Sequence, residues 1–143
     1  MKLALDPCGK PILIPNDKGS GTTGDNIIEN VPCTAEVAVG NVVRIEGTNY
    51  VNAQADTFEN SKIVGICVSK SSSTTCNVQI TGFTAEIFSG LTTNEIYFLS
   101  DTVPGGLTTT PPTAPNSVVQ QVGKPLSETI LRINITVGLE RSS

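Results

Sequence analysis

The chain contains no histidine and no tryptophan, and aromatic residues make up 4% of it. Without histidine, the commonest general base and the commonest metal ligand are missing, and nucleophilic sites built on Ser/His or Cys/His pairs are excluded. Without tryptophan, and with only Tyr50, Tyr97 and four phenylalanines, the stacking platform typical of carbohydrate-binding modules is poorly supplied. The four cysteines, Cys8, Cys33, Cys67 and Cys76, form no Cys-x-x-Cys pair, which removes the usual zinc and redox spacings. Basic residues number nine against thirteen acidic ones, and they are scattered, so nucleic acid is not an expected partner. No apolar run approaches the roughly 20 residues of a spanning helix, and no membrane partner is expected. The start, Met1 to Leu5, meets Asp6 and Pro7 before an apolar core forms, which argues against a cleaved signal and for synthesis in a cytosol. No cofactor and no small-molecule substrate are indicated.

The 143 residues, 15% charged and 38% apolar, suit one domain with one core. Residues 1–30 differ in composition from the rest. Leu3, Leu5, Ile12, Leu13 and Ile14 form two small apolar clusters interrupted by Pro7, Pro11 and Pro15, which excludes helix. Asn16 to Asn26 is rich in Gly, Ser and Thr, like a tether. An apolar arm on such a tether either adds an edge strand to its own domain or docks on a neighbouring subunit.

Residues 31–143 read as a β-domain of short strands separated by Gly, Asn and Thr turns, an antiparallel sandwich or barrel. Glu36–Val39 alternates and stops at Gly40–Asn41, while Val42–Glu46 and Tyr50–Ala53 read as a hairpin around Gly47–Asn49. Ile63–Val68 is apolar on both faces, as a central strand should be, and Gly65 marks a bulge or a close backbone approach. Cys76–Thr81 alternates with Cys76, Val78 and Ile80 on one face. A hairpin centred between Ser71 and Ser72 sets Cys67 opposite Cys76, where a cross-strand disulfide is the sharper reading and two half-buried free thiols the plainer one. A cytosolic origin favours the thiols.

The stretch from Ile96 to Ile135 carries three more β-type runs, Ile96–Leu99, Val118–Gly123 and Ile130–Ile135. Between the first two, Pro104–Pro112 can only be a turn or rigid loop. Catalysis would have to rest on carboxylate pairs such as Asp56 with Glu59 or Glu86 with Glu95, residue types that on loops are ordinarily solvated surface charges. No catalytic residue is assigned.

The order of these pieces resembles a β-module widespread in virion proteins of tailed bacteriophages. The resemblance rests on Val37-Ala38-Val39-Gly40-Asn41-Val42-Val43, Gly65-Ile66-Cys67 and Val78-Gln79-Ile80-Thr81-Gly82. It continues through Ile96-Tyr97-Phe98-Leu99-Ser100, Gly105-Gly106-Leu107-Thr108-Thr109-Thr110-Pro111-Pro112 and Val119-Gln120-Gln121-Val122-Gly123-Lys124-Pro125-Leu126-Ser127. It covers roughly residues 31–139 and is most specific over Ile96 to Ile135, with the Gly-Gly-Leu-Thr-Thr-Thr loop as its best marker. The resemblance implies a non-enzymatic structural protein: a homotrimeric decoration or cement protein, or head fibre, attached to the major capsid protein on the particle surface. The alternative it implies is a tail-fibre or spike component that sets an exposed loop within residues 102–117 against a host receptor. Attachment to capsid or sister subunit falls to the arm residues Leu3, Leu5, Ile12, Leu13 and Ile14, which the resemblance does not cover.

Overall fold

The computed structural model describes residues 26–136 and 138–140. The arm residues Leu3, Leu5, Ile12, Leu13 and Ile14, and also Cys8, lie outside the described residues.

The architecture is all-β, two antiparallel five-stranded sheets that do not close into a barrel and so form a sandwich. The first sheet contains β1 (Ile27–Pro32), β2 (Val42–Glu46), β3 (Asn49–Asn52), β4 (Gly65–Ser72) and β5 (Thr75–Gln79), in the order β1-β5-β4-β2-β3. The second contains β6 (Gly82–Phe83), β7 (Tyr97–Leu99), β8 (Leu107–Thr108), β10 (Gln121–Pro125) and β11 (Leu131–Ile133), in the order β6-β11-β10-β7-β8. Two further short strands, β9 (Val118–Val119) and β12 (Leu139–Glu140), pair with each other. A 3-10 turn at Glu59–Ser61 is the one helical piece among the described residues.

β4 is the middle strand of its sheet, and its doubly apolar sequence has a direct cause. Val42 and Ile66, cross-strand partners, face the second sheet and join Tyr97, Leu99, Val122, Leu131 and Ile133 in the inter-sheet core. Their chain neighbours Val43 and Cys67 point to the other face, as pleating requires. There they pack with Cys33, Val37, Cys76 and Val78 in a second cluster. That face is covered because the sheet curls: the chain just past β1 meets β3 at an isolated Cys33–Tyr50 bridge, and Thr34 N–H donates to the Tyr50 carbonyl at 3.1 Å. Each fully buried Val, Leu or Ile stabilises by about 1.5–3 kcal/mol relative to exposure, so both clusters matter to the fold.

Several local expectations are corrected. Glu36–Val39 is not a strand but a pair of turns, closed by Val37 N–H to the Thr34 carbonyl and Asn41 N–H to the Ala38 carbonyl. Its alternation arises because Val37 is pulled into the second cluster while Ala38 and Val39 stay exposed. The edge strand β1 begins at Ile27, so residues 27–30, assigned to the arm by composition, are part of the first sheet. The β4–β5 hairpin turns at Ser73–Thr74, with Ser72 paired to Thr75. Two register shifts then set Lys70 opposite Cys76 and Cys67 opposite Val78. Gly65 is a close approach: a Cβ there would collide with the Gln79 carbonyl oxygen of β5.

Candidate functional site

The Pro/Gly/Thr loop begins where β7 ends. Ser100 Oγ accepts from the Thr102 and Val103 amides at 3.1 and 3.0 Å, which turns the chain. The loop then returns as β8, with Leu99 paired to Leu107 and Phe98 to Thr108. Its glycine pair is a seam between the sheets. Gly105 N–H donates to the Ala53 carbonyl at 2.6 Å, and the Gly105 carbonyl accepts from Val42 N–H at 2.9 Å. Gly105 sits at φ +72°, and a Cβ there would lie 2.6 Å from Asn52 Oδ1 and 2.9 Å from Asn41 Cβ. Only glycine meets both demands without displacement. The glycine at position 105 is therefore fixed by how the two sheets meet.

Beyond the seam the loop forms a shallow, open cleft of about 370 Å³ lined by residues including Ser100, Asp101, Thr108, Thr110 and Pro111. Three of its hydroxyls are already engaged, Ser100 as above, Thr102 Oγ1 with Ser100 Oγ at 3.3 Å, and Thr108 Oγ1 with Thr110 N–H at 3.1 Å. One carboxylate, hydroxyls and proline rings suit weak polar contact with a partner, and the cleft brings no second acid to Asp101.

The proposed acid pairs occupy the surface. Asp56 Oδ1 accepts from Asn60 Nδ2 at 3.0 Å, and Glu59 lies 3.3 Å from Lys62, an exposed pair of small energetic weight. Glu86 and Glu95 are exposed. Among the described residues no group of three His, Cys, Asp or Glu is arranged to hold a metal ion.

Cys33, Cys67 and Cys76 are buried and free. The expected direct opposition of Cys67 and Cys76 does not occur. With Cys67 opposite Val78, Cys76 is a diagonal neighbour, and the two thiols meet through a side-chain hydrogen bond rather than a disulfide. Cys33 stands in the same diagonal relation on the other side, since Val31 pairs with Cys76 and Cys33 N–H bonds the Thr74 carbonyl. Cys76 thus sits between two other thiols in an apolar cluster. Burial is the main influence on Cys67 and Cys76 and pushes both thiols up from their ordinary value. A neutral, unreactive thiol is the outcome.

Gly82–Ile87, readable from the sequence as continuing or bending the preceding strand, bends it, and this corner joins the sheets. β5 runs into β6 through Ile80 and Thr81, turning at Gly82 with φ +88°. The Cys76/Val78/Ile80 face breaks here, because Ile80 is exposed and Gln79 is buried. Gln79 Nε2 donates to the Thr81 and Phe83 carbonyls, both at 2.9 Å, satisfying backbone acceptors that the bend leaves without ladder partners. Gly82 directly after an alternating run was the available signal for the bend. It leaves Ile80 37% and Phe83 50% exposed.

No protein-family model, curated protein or solved structure matches this chain.

Proposed function

We propose that the chain is a non-enzymatic structural protein of a tailed-phage virion, a homotrimeric decoration or cement protein (or head fibre) bound to the major capsid protein on the outside of the head. The observation that carries this reading is the ordered set of motifs from Val37 to Ser127, which resembles the virion β-module along most of the domain. The positions of those motifs in the sandwich support it. Gly65, Gly105 and Gly106 each stand where a Cβ would crowd a neighbour, and the Gly-Gly-Leu-Thr run ties the two sheets together. A compact β-domain with Thr/Ser-rich loops suits repeated placement on a symmetric shell, and a trimer matches its three-fold points. Leu3, Leu5, Ile12, Leu13 and Ile14 are the proposed means of attachment to capsid or sister subunit.

A second reading, a tail-fibre or spike component that binds a host-surface receptor, draws on the open cleft at Asp101 and Pro111. Solution mass and copy number on purified particles separate the two. A trimer present in numbers matching the capsid three-folds supports decoration. A few copies per particle favours the tail reading, and a monomer absent from particles overturns both.

A further inference from the structure

The second sheet turns one face to the core and leaves the other to solvent. Leu131 and Ile133 are buried, so Arg132 between them points outward by pleating. Its cross-strand partners are Lys124 on β10 and Phe83 on β6, and directly opposed side chains share a face. Gly123 pairs with Tyr97, which sets Ile96, one residue before β7, beside Lys124. Phe83, Arg132, Lys124 and Ile96 thus form one row across the sheet, and all four are exposed. The two cations at its centre differ from every other base in the described residues, of which there are five. Arg44 lies 3.9 Å from Glu46, Lys62 lies 3.3 Å from Glu59, and Lys70 Nζ donates to the Val37 carbonyl. Lys124 and Arg132 have no ion-pair or hydrogen-bond partner among the described residues. Glu86, Glu95 and Glu128, the acids nearest this row in the chain, are exposed and pair with neither cation. Like charges directly opposite on neighbouring strands, with Cβ atoms about 5 Å apart, destabilise a sheet. The fold therefore carries an unrelieved repulsion between two exposed apolar side chains.

We propose that this row is the positive half of a contact between copies of the chain, seated on an acidic surface of the next copy. The chain itself supplies the complement: its described residues carry ten acids against five bases, and only Glu46 and Glu59 are paired with a cation. Glu29, Glu36 and Asp56 belong to the first sheet and its connections, away from the row. Carboxylates set against Lys124 and Arg132 relieve the repulsion and fix the orientation of the docked copy. Phe83 and Ile96, on either side, add apolar burial at the same contact. A different patch on each copy makes the contact heterologous, so it closes into a ring or runs on into a chain. A three-membered ring would serve the trimer of the virion reading, yet the contact stands or falls without that reading.

Sedimentation equilibrium of the isolated full-length chain across a salt series tests this. Wild-type association is expected to weaken about tenfold from low salt to about 0.5 M, where exposed charges are screened. K124Q/R132Q is expected to associate about tenfold more weakly than the wild type at low salt and to lose the salt dependence. Its urea midpoint, taken in dilute solution where both proteins are monomers, is expected to equal or exceed that of the wild type, because the opposed charges are gone. That second readout separates loss of the contact from loss of the fold. A wild type that is monomeric at low salt overturns the proposal, as does association left unchanged in K124Q/R132Q. A urea midpoint below that of the wild type would mean that the cations serve the fold, and overturns it too. Presence on particles is read independently. A trimer that survives K124Q/R132Q removes this surface and leaves the virion reading in place, whereas absence from particles removes the virion reading alone.

Discussion

Two buried thiols, Cys67 and Cys76, give the fold a pH dependence with a definite sign. Cys67 and Cys76 are both pushed up from the ordinary thiol value of 9.0, chiefly because burial disfavours the thiolate. Below that value both folded and unfolded chains hold the protons, and stability is undiminished. Above it the unfolded chain ionises first, binds fewer protons than the native state, and is favoured as pH rises. Between about pH 8 and pH 10 the urea unfolding free energy of the wild type is therefore expected to fall more than that of a C67A/C76A variant. Lysine and tyrosine titrations are common to both proteins and cancel in the comparison. Parallel declines would show that the cluster does not hold its protons. Because Cys33, Cys67 and Cys76 are buried and held as neutral thiols, the wild type is also expected to keep them free when purified without reductant.

At the scale of elements, the strands were legible where a pattern served one purpose and illegible where it served two. β2 and β3 follow closely from Val42–Glu46 and Tyr50–Ala53, whereas β4, expected at Ile63–Val68, starts at Gly65 and runs on through the polar Ser69–Ser72. The hairpin register was not legible. The run from Ser69 to Thr75 is uniformly polar, so no side chain specifies which residues face each other, and two register shifts passed unseen. Val37 imitated a strand through burial alone, and Gln79 is an inward polar residue whose partners exist only once the corner has formed. The seam was visible as Gly-Gly in the sequence, although its contact with β2 and β3 was not.

That seam allows a controlled comparison between two glycines of nearly equal backbone angle. Gly105 has φ +72° and is crowded by Asn41 and Asn52, whereas Gly90 has φ +71° and nothing within 4 Å of a Cβ. Gly90→Ala is expected to cost about 1 kcal/mol, the left-handed backbone penalty alone. Gly105→Ala adds overpacking, typically about 1–3 kcal/mol, and displaces Asn52 Oδ1 from its 3.0 Å bond with Asn41 Nδ2. Equilibrium denaturation should place Gly105→Ala clearly below Gly90→Ala. Equal losses would mean that the seam yields without cost.

For the whole molecule the question is whether two clusters on opposite faces of one sheet unfold as one unit. The inter-sheet core draws on both sheets, and the second cluster is built by the first sheet and the segments that join its strands, Val37 and Val64 among them. If the halves were independent, the curled first sheet would have to survive after losing the cover on Val42 and Ile66. That would expose large apolar side chains on strands whose opposite faces remain packed, an unfavourable intermediate. The corner at Gln79–Phe83 and the hydrogen bonds of Gly105 add backbone links between the sheets. The absence of tryptophan makes the test clean, because the two tyrosines report on different parts. Tyr50 packs against the second cluster, while Tyr97 is buried in the inter-sheet core and its hydroxyl oxygen accepts from Thr92 N–H at 2.9 Å. Tyr97→Phe leaves Tyr50 as the sole fluorophore of that kind, and Tyr50→Phe leaves Tyr97. In each variant the tyrosine transition is expected to superimpose on the far-UV circular dichroism transition, with one midpoint and one slope. The Tyr97→Phe midpoint should be the lower for its lost hydrogen bond, yet still single. A Tyr50 signal that outlasts the circular dichroism change would mean that the first sheet is a separate folding unit and that the seam and corner do not couple the two.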